Sequence, residues 1–416
     1  MLHLKIRRIA LVCLFSGWFP AVAQEVDETQ EVLVIDVPVQ VMRGGGPLRG
    51  LTADNFQVFD NGESQTITNF EMVDLDDLST ADDQLVRPTI HKQRHFVFFF
   101  DMFFSSPPKT RKVLSAAQDM LLDLALNDKV AVVVFTPNKG ITMLSGFTND
   151  ELQTGAALDA VDWFSDPRNY EAMTRDANRE SESHAKSDPY WYEEKLYLDS
   201  EPQVGLKLET RLDLAYEKMG DRLVGDERSA QLKELLDGLN KQKNIGTPRP
   251  MSSAAMTMAA DLAFLANALK DLEGGKYLVL FSEGFSNEML LRENFADMIQ
   301  VQLENMVDVF RKTEWAIHTV DTRGLRHLGA APNQDSLNQM AKDTGGHFYR
   351  NYNSMDKALR DVTENTAVTY ILSYQPKEVV LDGSYHELRV ELKGVPNKAR
   401  IQYSRPGYYA PFTLKR

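Results

Sequence analysis

Between residues 95 and 350 the chain alternates short, uninterrupted apolar runs with longer amphipathic ones. HFVFFFD (95–101), KVAVVVFT (129–136), KYLVLFSE (276–283) and WAIHTVD (315–321) lack the in-and-out alternation of a half-wetted strand, so they read as strands buried on both faces. Stretches with helical periodicity lie between them, near 109–126, 252–272, 292–312, 334–343 and 354–365, and GHFYR (346–350) adds a short strand. Asn138-Lys139-Gly140 turns the chain back into ITMLSGF (141–147), an antiparallel neighbour for the strand before it. The expected fold class over residues 93–366 is α/β, a doubly wound sheet with one reversed strand.

The flanks have a different rhythm. VLVIDVPVQVM and FQVFD, within 31–73, are strand-like runs punctuated by Gly44-Gly45-Gly46 and by the hairpin signal Asp60-Asn61-Gly62. A polar linker is expected at 74–92. After Thr369 come TYILSYQP, HELRVELKG and ARIQYSRPGYYAP, with Asp382-Gly383 making the first turn. Each flank offers about three strands, too few to bury a core alone. The N-terminal segment (31–73) and the C-terminal segment (369–411) are therefore expected to pair in one small β-sandwich-like domain. The α/β unit would be inserted in it, which requires Arg94 and Val368 to lie close together.

A second insertion is expected at about 150–245, rich in charge and in aromatics such as Trp163, Tyr170 and Trp191. Leu206–Leu223 and Ala230–Leu239 have helical periodicity, and their apolar residues do not share one face. These helices are expected to pack over or beside the carboxyl edge of the sheet and to read a partner.

The start of the chain changes the picture. Lys5, Arg7 and Arg8, then an apolar stretch from Ile9 to Phe15, then Ala21-Val22-Ala23, read as an export signal over residues 1–23, with Gln24 opening the mature chain. The apolar run is broken by Gly17 and Pro20 and is shorter than the roughly 20 residues a spanning helix needs. No transmembrane segment is expected after cleavage, and the destination is secreted or periplasmic. The single cysteine, Cys13, lies inside that leader, so the mature chain has no thiol nucleophile, thiolate ligand or disulfide.

The formal charge is −14, and losing the three cations of the leader makes the mature chain three units more negative. Such a surface repels nucleic acid and tolerates cationic partners or divalent metal. The eight histidines show no metal-ligand spacing. No Gly-x-Ser-x-Gly elbow, phosphate loop or zinc signature appears either.

Several segments together carry a family likeness: GLTADNFQVFDNG (50–62), FFFDMFFSS (98–106), FSEGF (281–285), VDTRGL (320–325), TGGHFYR (344–350), YILSYQP (370–376) and YSRPGYYAP (403–411). With the strand ending in Asp101 and hydroxyls just beyond it, they resemble the VWFA-related acidobacterial domain proteins, secreted bacterial chains built on a von Willebrand factor A (VWA) domain. That resemblance implies a site at the carboxyl ends of the strands, where an Asp-x-Ser-x-Ser loop, a threonine and a further aspartate hold Mg²⁺ or Mn²⁺ and leave room for a partner's carboxylate.

The carry-over is partial. Asp101 matches the first aspartate and Ser105 the second serine, while Phe103 stands where the first serine would be. Thr247 is the candidate threonine, with Ser252 and Ser253 as alternatives, and Glu283 takes the place of the third-loop aspartate. Any metal is expected to bind weakly through this altered set of Asp101, Ser105, Thr247 and Glu283. Residue by residue, plainer readings compete: Asp101 as a turn residue, Ser105 as a helix cap, Glu283 as a solvated acid. The expected function is binding of a protein or peptide partner rather than catalysis. A hydrolase with an unfamiliar site and a structural part of an envelope assembly are the alternatives.

Overall fold

The computed structural model describes residues 33–75, 93–125, 127–136, 140–164, 251–285, 296–325, 334–378 and 381–411. The architecture is mixed α/β. Strands β1 (Ile35–Arg43), β2 (Gly46–Pro47), β3 (Phe56–Asp60), β4 (Glu63–Gln65) and β5 (Ile67–Asp74) form the N-terminal part. The central part runs β6 (Arg94–Asp101), α1 (Pro107–Leu122), β7 (Lys129–Thr136), β8 (Gly140–Thr148), α2 (Glu151–Phe164), α3 (Met251–Ala268), β9 (Gly275–Ser282), α4 (Ala296–Lys312), β10 (Trp315–Asp321), α5 (Gln334–Thr344), β11 (Phe348–Tyr349) and α6 (Met355–Asn365). Strands β12 (Val368–Tyr374), β13 (Tyr385–Leu392), β14 (Arg400–Ser404) and β15 (Gly407–Tyr409) close the chain.

The central sheet has the order β11-β10-β9-β6-β7-β8. Its pairs are parallel except β7 with β8, as the Asn138-Lys139-Gly140 turn implies. Alternate residues of each strand enter two separate cores. Phe96, Phe98 and Phe100 pack with Val113 and Ala117 of α1, Leu158 of α2 and Leu359 of α6. Val97 and Phe99 pack with Met258 and Leu262 of α3, Leu303 and Phe310 of α4 and Leu337 of α5. A strand covered on both faces has no polar positions to alternate, hence the continuous apolar runs.

Helix α2 lies where the insertion was expected to begin. Its Ala157, Leu158 and Val161 are fully buried against the sheet, so Glu151–Phe164 belongs to the helical layer of the α/β unit. Its polar residues and Gly155 blurred its apolar stripe in the sequence. The rest of the insertion, with Leu206–Leu223, Ala230–Leu239 and Thr247, lies outside the described residues. So does the leader.

The flanking strands interleave. β1 pairs with β12 and β14, and β12 with β5, all antiparallel. β13 pairs with β3 and with β15. Val37, Val39, Phe56, Val58, Tyr370, Leu372, Leu388 and Val390 of these two sheets share one core. Asp74 is the last residue of β5, opposite Val368, and binds Arg49 at 2.5 Å. It is therefore strand rather than the first residue of a linker, because its carboxylate has a cationic partner at the sheet end.

Several contacts seat the β unit on the α/β unit. The Gln40 amide donates to the Tyr277 hydroxyl at 2.9 Å, the Gln402 amide to the Gly346 carbonyl at 2.6 Å, and Arg405 pairs with Glu314 at 2.8 Å. Gly346 is required where it stands: a Cβ there would lie 2.0 Å from the Ile317 carbonyl oxygen.

Candidate functional site

Strand β6 delivers Asp101 to the carboxyl end of the sheet beside Ser282, the last residue of β9. The next chain segment beyond β6 lies on one side of it, at β7, and the segment after α3 lies on the other, at β9. The chain thus changes direction between β6 and β9, the place where open α/β sheets leave a crevice outside their carboxyl ends.

Asp101 is 1% exposed. Its Oδ1 accepts the backbone N–H groups of Phe103 and Phe104, both at 2.9 Å, and its Oδ2 accepts the Ser282 hydroxyl at 2.5 Å. This is the turn-forming use of an aspartate, in which the side chain takes up N–H groups two and three positions on. Burial pushes its carboxyl up to about 6, against the lowering effect of those three hydrogen bonds. Phe103 is buried and packs in the core on the α3 side of the sheet, edge-on to Phe104.

Glu283 is buried as well. Its Oε1 accepts both the N–H and the hydroxyl of Ser106, at 2.8 and 2.9 Å, and its Oε2 lies 2.9 Å from the Lys109 ammonium. Ser106 is the N-cap of α1, and Pro107 and Pro108 fill the first helical positions. Glu283 therefore sits at the positive end of the helix dipole with a lysine beside it. The Glu283 N–H in turn donates to Ser105 Oγ at 3.3 Å. Asp101, Ser105 and Glu283 are thus brought together, and Glu283 is a buried, paired acid rather than a solvated one. Thr247 and its neighbourhood lie outside the described residues. Ser253 is half-buried in α3, and nothing is described of the Ser252 side chain.

Lys109 escapes a sequence reading, and Ser282 and Ser106 enter it only as part of the turn after the fourth apolar run and of a candidate helix start. A lysine in the first turn of a helix reads as solvated, and its contact with Glu283 spans 174 positions of sequence. Only the pair of prolines after Ser106 hinted that a helix begins there. Next along the edge, Asp321 at the end of β10 binds Arg323 at 2.7 and 2.9 Å and the Gln334 amide at 2.9 Å. The Thr322 N–H donates to the Ser282 carbonyl at 3.3 Å, which joins the two clusters.

This set does not fit a divalent cation. Mg²⁺ and Mn²⁺ need several oxygens free to point at one centre. Among the described members of the set, every carboxylate oxygen of Asp101 and Glu283 already accepts at least one hydrogen bond, the Ser105 oxygen accepts another, and the Phe103 benzyl group stands where the first serine hydroxyl would be. Among the described residues no group of three or more His, Cys, Asp or Glu side chains could hold a metal.

A second polar cluster lies in the β unit. Asp60 accepts the hydroxyls of Tyr374 and Tyr408 at 2.7 and 3.0 Å, and its other oxygen is 2.9 Å from His386 Nδ1. It ties β3, β12, β13 and β15 together from inside.

Among the described residues no helix is long and apolar enough to cross a membrane. No protein-family model matches the chain, and no curated protein matches it. Solved structures offer distant likenesses. An aerotolerance-related membrane protein from Bacteroides fragilis shares 12% identity, over 65% of this chain and 98% of that one, with a TM-score of 0.29. A von Willebrand factor type A protein from Catenulispora acidiphila shares 10%, over 84% and 75%, with a TM-score of 0.31. The pilus adhesin SpaC from Lactobacillus rhamnosus GG shares 9%, over 96% of this chain and 51% of that one, with a TM-score of 0.34. Likenesses this distant carry no argument about what the chain does.

Proposed function

We propose that this chain is an exported, noncatalytic binding module on a doubly wound VWA-type sheet, which holds a protein or peptide partner at the carboxyl edge of that sheet. One observation carries the reading: the change of chain direction between β6 and β9 coincides with the convergence of Asp101, Ser105, Ser282 and Glu283. The edge also offers apolar contact, since Leu325, just past the end of β10, is 50% exposed. The leader directs the chain out of the cytoplasm, and the partner meets it in the periplasm or beyond. The part of the expected insertion (about 150–245) that follows α2 serves as the partner-reading element.

The test compares three full-length chains as baits in native envelope extract, with bound proteins quantified by mass spectrometry. Leu325→Asp alters the carboxyl edge, and Leu152→Asp alters an 86% exposed position on α2. A protein held by the wild type and by Leu152→Asp, and lost from Leu325→Asp, supports the edge. Equal capture by all three chains puts the binding surface elsewhere.

A further inference from the structure

We infer that the Lys109 ammonium is the resident counter-ion of the carboxyl edge, so that this edge is assembled and competent without any divalent metal. The inference rests on placing the working edge at Asp101 and Glu283.

A buried carboxylate needs a compensating charge or a full set of donors. Glu283 has both: two donors from Ser106 on one oxygen and the Lys109 ammonium on the other. The lysine is delivered by the helix that Glu283 itself caps, because Lys109 stands three residues after the N-cap Ser106, in the first turn of α1. One carboxylate therefore fastens the β9 end to the helix that follows β6. In a metal-centred site the ion would bridge those two loops. Here a covalently attached cation bridges them, with a reach set by its side chain.

The Asp101 half of the edge needs no ion either. Its two oxygens accept backbone and hydroxyl donors, and Phe103, in place of a hydroxyl ligand, packs into the core on the α3 side of the sheet. The Lys109 side chain is 35% exposed, so this counter-ion sits at the rim of the edge. Partner contact there is insensitive to chelators and weakened by salt.

The experiment uses the full chain in three forms, wild type, Lys109→Met and Glu283→Gln, together with the double variant. Each is melted in chelator, in millimolar Mg²⁺ and in millimolar Mn²⁺, and free Mn²⁺ is counted by electron paramagnetic resonance. The wild type melts at one temperature in all three conditions and takes up no stoichiometric Mn²⁺. Lys109→Met keeps the packing of the stem, loses the charge, and melts at least about 2–4 °C lower. Part of that loss returns with Mg²⁺ or Mn²⁺, since the orphaned carboxylate recruits a cation. In the Glu283→Gln background, Lys109→Met costs much less and the metal response disappears.

Stoichiometric Mn²⁺ on the wild type, released by Asp101→Ala, overturns the inference and leaves the binding reading standing. So does an equal cost of Lys109→Met with and without Glu283. Loss of edge-dependent capture with all these results unchanged would instead remove the binding reading alone.

Discussion

The Arg94 guanidinium embraces Asp128, with Nε and Nη2 at 3.0 and 2.5 Å from its two carboxylate oxygens, and both side chains are buried. Its remaining nitrogen donates to the Thr363 carbonyl and the Thr366 hydroxyl at 3.0 and 2.8 Å. One side chain thus joins the point where the chain enters the α/β unit to the point where it leaves. Arg94→Met leaves a buried charge unpaired and should cost about 3–5 kcal/mol. Adding Asp128→Asn should recover part of this, because the amide still accepts the Ala125 N–H that Asp128 now holds at 2.8 Å. Urea unfolding of both variants is the measurement, and a single variant within 1 kcal/mol of wild type, on the order of an exposed pair's worth, would remove the claim.

Asp101 should make its neighbourhood more stable in mild acid. Its carboxyl is pushed up to about 6 by burial, well above the ordinary 3.8 of an exposed aspartate. The folded form therefore binds the proton more tightly than the unfolded one, so stability at this group grows as pH falls from 7 toward 4 and is withdrawn as pH rises through about 6. Asp101→Asn keeps the shape and titrates nothing. The stability of wild type relative to this variant should rise by about 2 kcal/mol between pH 7 and pH 4. A difference that stays flat across that range would show that Asp101 is no more perturbed than an exposed acid.

Two glycines should respond in opposite directions to the same methyl group. Gly346→Ala drives a Cβ against the Ile317 backbone, which cannot step aside, and should cost more than about 3 kcal/mol. Gly155→Ala meets open space inside α2 and should add about 0.5–1 kcal/mol by restricting the unfolded chain. Thermal melts of the two purified variants decide both.

Export should remove the leader. The mature chain recovered from the periplasm or medium should have the intact mass of a protein beginning at Gln24, and Ala21→Arg with Ala23→Arg should leave the precursor uncut. A full-length chain recovered outside the cytoplasm would make the leader an anchor.

Much of the central sheet was legible from periodicity because its strands are buried on both faces. Lys129–Thr136 and Trp315–Asp321 fall where their apolar runs place them. Helix α2 was not legible, since Thr154, Gly155 and the exposed Leu152 dilute its stripe. At the site, Asp101, Ser105 and Glu283 came through a resemblance in motif order, and the structure groups them. What surrounds them did not come through. Whether an acid faces solvent, a metal or a lysine is decided by residues far away in sequence, and neither local pattern nor spacing encodes that Ser106 and Lys109 would meet Glu283.

The hydrogen bond from Tyr374 to Asp60 joins positions 314 apart, and Tyr408 reaches the same carboxylate from still further along. Loop closure over such a span is slow relative to helix or hairpin formation, and a chain emerging from its N-terminus cannot make these bonds until nearly all of it has been delivered. The α/β unit has its own cores and can condense first, while β1 and β3 wait with unpaired edges for β12 and β13. If the chain is exported as proposed, it spends its passage with those edges exposed. The segment from Val368 onward therefore acts as a completion check: a truncated or stalled product would display bare strand edges of the kind that chaperones and proteases recognise.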